Sequence, residues 1–320
     1  MRDGLQRESG TNPSPEEIRR AARILREGGL VAFPTETVYG LGANTFDAGA
    51  VRRIYEAKGR PPTSPVIVHV GSVDQARELV SRWPEAAERL TSRFWPGPLT
   101  LVLPKDPAIP DLVTAGLPTV GVRMPNHPIA LALLREAGVP IAAPSANLFT
   151  RLSPTRAGDV PSELRKLASS VLDGGPSPVG IESTVLSLAS ERPVLLRPGA
   201  IAVPELEAII GPIALPESRG GAHASPGLHP RHYAPRTPLV LVRGGRLPAQ
   251  GRGAYLWRSI EAPAARPVAM PAGVRAYGAR LYAALNELDR EGWDWIAVEE
   301  PPSSPEWHAV RDRLQRASRE

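Results

Sequence analysis

The 320-residue chain contains no cysteine, which excludes disulfides, thiolate nucleophiles and sulfur-ligated metal sites. It has no run of 18 apolar residues, so no transmembrane helix and no membrane partner is expected. The first residues, M-R-D-G-L-Q-R-E-S-G, lack the apolar stretch of a secretory signal. Together these absences give the expectation of a cytoplasmic protein. There is no G-x-x-x-x-G-K-[ST] phosphate loop, no G-x-G-x-x-G fingerprint and no G-x-S-x-G nucleophile elbow. The six histidines show no zincin spacing, so no protein-held metal is expected. Lysine is scarce as well: of 38 basic residues only Lys58, Lys105 and Lys166 are lysines.

Arginine and proline fill the chain instead. The net charge is +5 and almost all positive charge is guanidinium, which grips phosphate and carboxylate through paired N–H groups. Compositional bias produces the same excess, so basicity alone does not point to nucleic acid. The 37 prolines are well above the usual frequency of about 5% and lie among apolar segments, where they read as stiff loops. The length suggests two domains, and 42% hydrophobic residues suffice for packed cores.

Residues 1–13 read as an arm. Ser14, Pro15 and Glu17 are a helix start, with a capping box and proline at the first helical position, and Gly28-Gly29 stops that helix. L-V-A-F (30–33) reads as a buried strand, and Asp47 caps a second helix over 48–58. Strands are expected at 66–70, 99–103, 119–123 and 139–143, with a pair at 183–188 and 193–197. Helices are expected within 73–93 and over 128–137 and 204–210. No strict βαβ rhythm appears, so residues 14–210 predict an α/β domain with a twisted mixed sheet and packed helices. Residues 211–238 are rich in Gly, Pro and His and read as a linker. Residues 239–320 alternate strand and helix as a smaller Rossmann-like α/β domain.

The candidate chemistry lies in polar clusters at strand ends. F-P-T-E-T-V-Y-G-L-G (33–42) presents Thr35, Glu36 and Thr37. Lys58-Gly59-Arg60, before Pro61-Pro62, sets two cations on a stiff turn suited to a phosphate chain; a basic helix end that complements the macrodipole reads the same way. P-S-A-N (144–147), S-P-T (153–155) and E-S-T (182–184) offer hydroxyls that also suit ordinary turns and strand starts. Arg123 and Arg197 each end a strand. His69 lies in an apolar strand, where a satisfied core histidine is the plain alternative, and Tyr233 lies in the linker, where it would anchor packing.

Taken in order, F-P-T-E-T-V-Y-G-L-G, A-K-G-R-P, P-V-I-V-H, F-W-P-G-P-L-T-L-V-L, V-G-V-R-M-P, A-P-S-A-N, S-P-T, G-I-E-S-T-V and L-L-R-P-G resemble the YrdC family, and H-Y-A-P (232–235) resembles its long two-domain form. The resemblance is dense over about residues 14–236. It implies a YrdC-like fold with a concave, positively charged pocket. It also implies L-threonylcarbamoyladenylate synthase activity: L-threonine, bicarbonate and ATP give threonylcarbamoyl-AMP and pyrophosphate, with Mg²⁺ held mainly by the nucleotide phosphates. The product would pass to a threonylcarbamoyl transferase complex that modifies adenosine 37 of tRNAs reading codons that start with A, with at most a weak contact to the tRNA itself.

By motif, the resemblance assigns Thr37, His69, Arg123, Ala143 and Ser183 to threonine. It assigns Lys58, Arg60, Ser64, Thr119, Ser145, Ser153, Arg197 and Tyr233 to ATP, with Lys58 and Arg60 as the catalytic pair. Ser64 stands where the family usually has Asn. L-F-T-R-L (148–152) lacks the Ser-Gly usual after P-S-A-N, and L-H-P-R before His232 lacks a basic-aromatic pair. Two rivals are a basic RNA-binding module without catalysis and a carbamoyl-transferring maturation factor. The second carries Cys-rich zinc modules, which a chain without cysteine cannot form.

Overall fold

A computed structural model describes residues 12–215 and 231–319. Most of the expected arm, the middle of the expected linker and most of L-H-P-R lie outside the described residues. The strands are β1 (Val31–Phe33), β2 (Gly40–Asn44), β3 (Val68–His69), β4 (Leu99–Pro104), β5 (Thr119–Arg123), β6 (Ile141–Ala142), β7 (Ser170–Val171), β8 (Thr184–Ser187), β9 (Val194–Arg197), β10 (Leu239–Val242), β11 (Gly253–Trp257), β12 (Arg266–Ala269) and β13 (Trp295–Glu299). β1 to β9 form one sheet in the order β7-β1-β2-β6-β3-β5-β4-β8-β9. It is mixed: β1–β7, β3–β5 and β4–β8 are parallel and the other pairs antiparallel.

Local sequence explains the helices that flank this sheet. The helix Pro15–Arg26 has the expected capping box between Ser14 and Glu17, and Ala48–Lys58 starts at the Asp47 carboxylate and ends at Gly59 in the left-handed conformation. Two apolar clusters sandwich the sheet. One packs Ala21, Leu25, Leu133 and Leu134 from the helices Pro15–Arg26 and Pro128–Ala137 against Val31, Phe33 and Ile141. The other, larger cluster joins Val51, Ile54, Leu90 and Leu206 to the opposite face.

The second sheet is wholly parallel, in the order β10-β13-β11-β12. This suits a Rossmann-like arrangement, but the crossovers β10–β11 and β11–β12 carry no helix; only the helix Val274–Glu291 bridges β12 and β13. The two domains share a core. Val38, Leu152, Ile181 and Tyr233 pack in one cluster with Tyr277, Leu281 and Tyr282. Gly180 makes the close approach possible, since a methyl there would lie 2.5 Å from the Ala279 Cα. Among the described residues, no helix is long and apolar enough to cross a membrane.

Candidate active site

Strand register assembles the pocket. β3 pairs β5 so that His69 lies opposite Arg123, and β6 pairs β3 so that His69 also faces Ile141. Ala143 continues from β6 and donates its N–H to Ile67. The loop after it wraps Tyr39: Leu41 N–H donates to Pro144, Ala146 N–H to Tyr39, and Tyr39 N–H to Pro154. β8 and β9 pair antiparallel and bring Arg197 back beside Ser183. The result is one cavity lined by Thr37, Arg60, His69, Arg123, Ala143, Ser145, Ser183, Arg197 and Tyr233 among others. The residues assigned to threonine by motif all reach it, and so do four of the eight assigned to ATP: Arg60, Ser145, Arg197 and Tyr233.

Three guanidinium groups face this cavity, each held differently. Arg123 forms a buried ion pair with Glu36 at 2.7 Å and donates from Nε to the Gly97 carbonyl at 3.3 Å. Arg60 donates through one nitrogen to Ser64 Oγ at 2.7 Å and to the Pro65 carbonyl at 2.7 Å, which leaves its Nε without a partner. Arg197 donates to the Ser183 carbonyl at 3.0 Å and to Ser183 Oγ at 3.1 Å. Ser183 Oγ in turn shares a hydrogen with Thr100 Oγ1 at 2.8 Å. Fixed donors around a cavity suit an anion whose charge they are aimed at before it arrives.

His69 sits between these cations with only 4% of its surface exposed, and its Nδ1 has no partner. Burial, and then the charge of Arg123, lower its pKa from 6.5 to about 3, so the ring is neutral at neutral pH. Its edge meets Phe33 at 6.1 Å. Thr37 shares a hydrogen with Thr35 at 2.9 Å, and Thr35 closes the turn on the Val38 carbonyl at 2.7 Å.

Four of the assigned residues stand outside the cavity. Lys58 stands furthest from the place its motif implies. Its ammonium donates to the Ser145 carbonyl at 2.6 Å, to the Asn147 carbonyl and to Asn147 Oδ1 at 3.3 Å. Those three bonds use all three N–H groups, so Lys58 ties down the P-S-A-N loop. Burial, and then the charge of Arg60, push its pKa well below the ordinary lysine value. Ser64 holds Arg60. Thr119 lines a small adjoining depression that shares Ile67 with the main cavity. Ser153 is buried and donates to Glu182 Oε1 at 2.6 Å.

Glu182, His232, Tyr282 and Arg313 were not among the assigned residues. Glu182 looked like the solvated start of a strand, yet it is 5% exposed and lines the cavity. Burial alone would raise its pKa; the guanidinium groups of Arg313 and Arg197 outweigh this and hold it below the ordinary value. Arg313 carries no local signal, being one of several arginines on the polar helix His308–Ala317. Tyr233 lies in the left-handed conformation with φ of 60°, 1% exposed, its ring 4.1 Å from that of His232. With both rings in place the cavity holds about 50 Å³.

Fold and pocket together define a two-domain α/β enzyme whose cavity is lined by three guanidinium groups. Residues 23–199 match the Sua5/YciO/YrdC family, described as telomere recombination, and residues 201–319 match the threonylcarbamoyl-AMP synthase C-terminal domain. The chain belongs to this family, in its two-domain form. It is similar to the threonylcarbamoyl-AMP synthase of Bacillus subtilis, at 44% identity over 94% of this chain and 93% of that protein. It is also similar to that of Pyrococcus abyssi, at 42% identity over 94% of each. Among solved structures it matches P. abyssi Sua5 complexed with L-threonine, with a TM-score of 0.89, 41% identity and 96% of each chain covered.

Proposed function

We propose that this chain is a threonylcarbamoyl-AMP synthase. The observation that carries the reading is the convergence of Arg60, Arg123 and Arg197, with Thr37, His69, Ser145 and Ser183, on one cavity. The threonine amine adds to bicarbonate with loss of water and gives a carbamate. A carbamate oxygen then attacks the α-phosphorus of ATP, and the bond to pyrophosphate breaks. The substrate supplies the nucleophile, so the protein's work is positioning and neutralising charge.

The threonine end is the Thr37–His69–Arg123 side. Arg123, oriented by Glu36 and Gly97, would take the amino-acid carboxylate, and neutral His69 would accept a hydrogen bond from the amine or hydroxyl. Arg60 and Arg197 would face the phosphates, with Ser145 beside them. Magnesium belongs to the nucleotide in this reading. The pocket carboxylate Glu182 and Glu36 behind Arg123 are both engaged by guanidinium groups, and the described residues contain no cluster of His, Cys, Asp or Glu suited to a metal. The ion would be held by phosphate oxygens and water.

A volume of about 50 Å³ is well below the roughly 300–1,000 Å³ of small-molecule sites. ATP would need a wider cavity, which withdrawal of His232 and Tyr233 would open, and their return would keep water from the carbamate and the mixed anhydride. The product would pass to a threonylcarbamoyl transferase complex acting on tRNA. The test is pyrophosphate release from ATP, which should require both L-threonine and bicarbonate. Release that ignores either one would sink the proposal.

A further inference from the structure

Arg313, on the helix His308–Ala317, is 1% exposed and abuts the pocket wall. Its Nε donates to Glu182 Oε2 at 2.9 Å and its Nη1 to Asp312 at 2.9 Å. Its guanidinium carbon lies 5.0 Å from the centre of the Tyr233 ring. Tyr282, on the helix Val274–Glu291, donates to the same Glu182 oxygen at 3.1 Å and stacks on Tyr233 with ring centres 6.0 Å apart and planes 28° apart. Ser153 takes the other Glu182 oxygen. One carboxylate from the N-terminal domain thus collects three donors, two of them from the C-terminal domain.

Domain docking does not call for such a set. Apolar side chains of similar volume would join the two surfaces at least as well, because stripping water from a guanidinium and a carboxylate costs several kcal/mol. The core shared by Val38, Leu152, Ile181, Tyr277 and Leu281 already joins them. What the polar set adds is direction. It fixes the faces of Tyr233, and it fixes Glu182, whose neighbour Ser183 accepts from Arg197.

We infer that Arg313 is a positioning residue for the nucleotide end of the pocket: through Glu182 and Tyr233, the C-terminal domain sets where Tyr233 and Arg197 stand when ATP binds. The inference rests on the reading of the cavity as the ATP and threonine site. Arg313 itself meets Glu182, Asp312 and the Tyr233 ring, and of the residues assigned to threonine Ser183 is the one that adjoins this set, so the effect should fall mainly on the nucleotide.

The experiment uses the full chain with Arg313→Met and Arg313→Lys. Steady-state pyrophosphate release is measured against ATP and threonine separately, and ATP binding alone by calorimetry. Arg313→Met should weaken ATP, in both KM and Kd, by about tenfold, less than a buried cation–π contact and a charged hydrogen bond are worth together because Arg313 acts only through Tyr233 and Glu182. The threonine KM should stay within about twofold, and Arg313→Lys, which keeps the charge but not the flat stacking, should weaken ATP by about threefold. An unchanged ATP KM and Kd, or an equal rise in both KM values as from loosened docking, overturns the inference. Should Arg313→Met not fold, Arg313→Lys decides alone by the same ATP-selective criterion. A wild-type chain that binds ATP but releases no pyrophosphate with both co-substrates would overturn the synthase reading instead.

Discussion

The Lys58 ammonium lies 2.6 Å from the Ser145 carbonyl oxygen, and this bond separates two cations that share one motif. Lys58 spends its charge on the backbone of the P-S-A-N loop, whereas Arg60 lines the cavity. Their variants should therefore differ in kind. Lys58→Met leaves buried carbonyls without a donor and should lower unfolding free energy by about 3 kcal/mol. Its kinetic defect should be a raised ATP KM, through the loosened Ser145. Arg60→Ala should cost less stability and cut kcat/KM by about 10²-fold, if it stabilises charge in the transition state. Denaturant titration and pyrophosphate kinetics on both variants check this. Equal profiles would return Lys58 to the phosphate-binding role its motif implies.

His69 makes stability depend on pH. Its imidazole titrates near 6.5 when unfolded and near 3 when folded. Between those values the unfolded chain binds a proton that the folded chain does not, so stability rises with pH across the window. The contribution is complete above about pH 6.5 and is lost as pH falls toward 3; by linkage about 2 kcal/mol is gone at pH 5. His232 acts in the same direction: burial first, then Arg60, Lys58, Arg197 and Arg313, holds its pKa well below the ordinary value. Urea titrations at pH 7.5 and 5 should show the loss in the wild type and a loss smaller by about 2 kcal/mol in His69→Gln. An identical slope in the variant would show that His69 is not the titrating group.

Tyr233 holds a left-handed backbone that costs a non-glycine residue on the order of 1 kcal/mol, and the packing of Tyr282, His232 and Arg313 around its ring enforces it. Tyr233→Ala removes the ring and enlarges the cavity. Water then reaches the carbamate and the adenylate, so pyrophosphate released per threonylcarbamoyl-AMP recovered should rise severalfold. Chromatography of the product beside a pyrophosphate assay measures that ratio. A slower reaction at the wild-type ratio would mean that the ring does not exclude water.

Much of this was legible in the sequence, and the residues show why. Ser14, Glu17, Asp47 and Gly59 mark helix ends because capping is decided within four residues. The motifs located His69, Arg123, Ser183 and Arg197 because strand ends are local. The five-residue β2 escaped because G-L-G-A-N lacks the branched and aromatic residues that mark strands; its pairing with β1 and β6 makes it one. The length of β3 was overestimated: V-I-V-H-V is apolar apart from His69, but only Val68 and His69 pair as strand. The burial of Glu182 and its contacts with Tyr282 and Arg313 depend on two domains meeting across a hundred residues of chain or more, and no local pattern records that meeting. The turn of the Lys58 ammonium toward the P-S-A-N backbone was not legible either, since spacing tells where a cation is and not which way its side chain turns.

Gly199, which closes L-L-R-P-G, yields a prediction that separates space from conformation. A methyl on Gly199 would lie 2.2 Å from the Thr184 nitrogen and 2.4 Å from the Ser183 carbonyl carbon. Both are backbone atoms held in β8 and its approach, so neither can step aside as a side-chain tip does. Gly199→Ala should therefore push the 197–199 segment off Ser183, cost about 3 kcal/mol of stability and raise the ATP KM through Arg197. Gly138 is the contrasting case. It ends the helix Pro128–Ala137 with φ of 66° and has nothing within 4 Å of an added methyl, so Gly138→Ala meets only backbone strain of about 1–2 kcal/mol. Its kinetic constants should match the wild type. Thermal melts with ATP titrations of the two variants distinguish the effects. A Gly199→Ala protein with the wild-type ATP KM would show that the β8–β9 spacing does not set the position of Arg197.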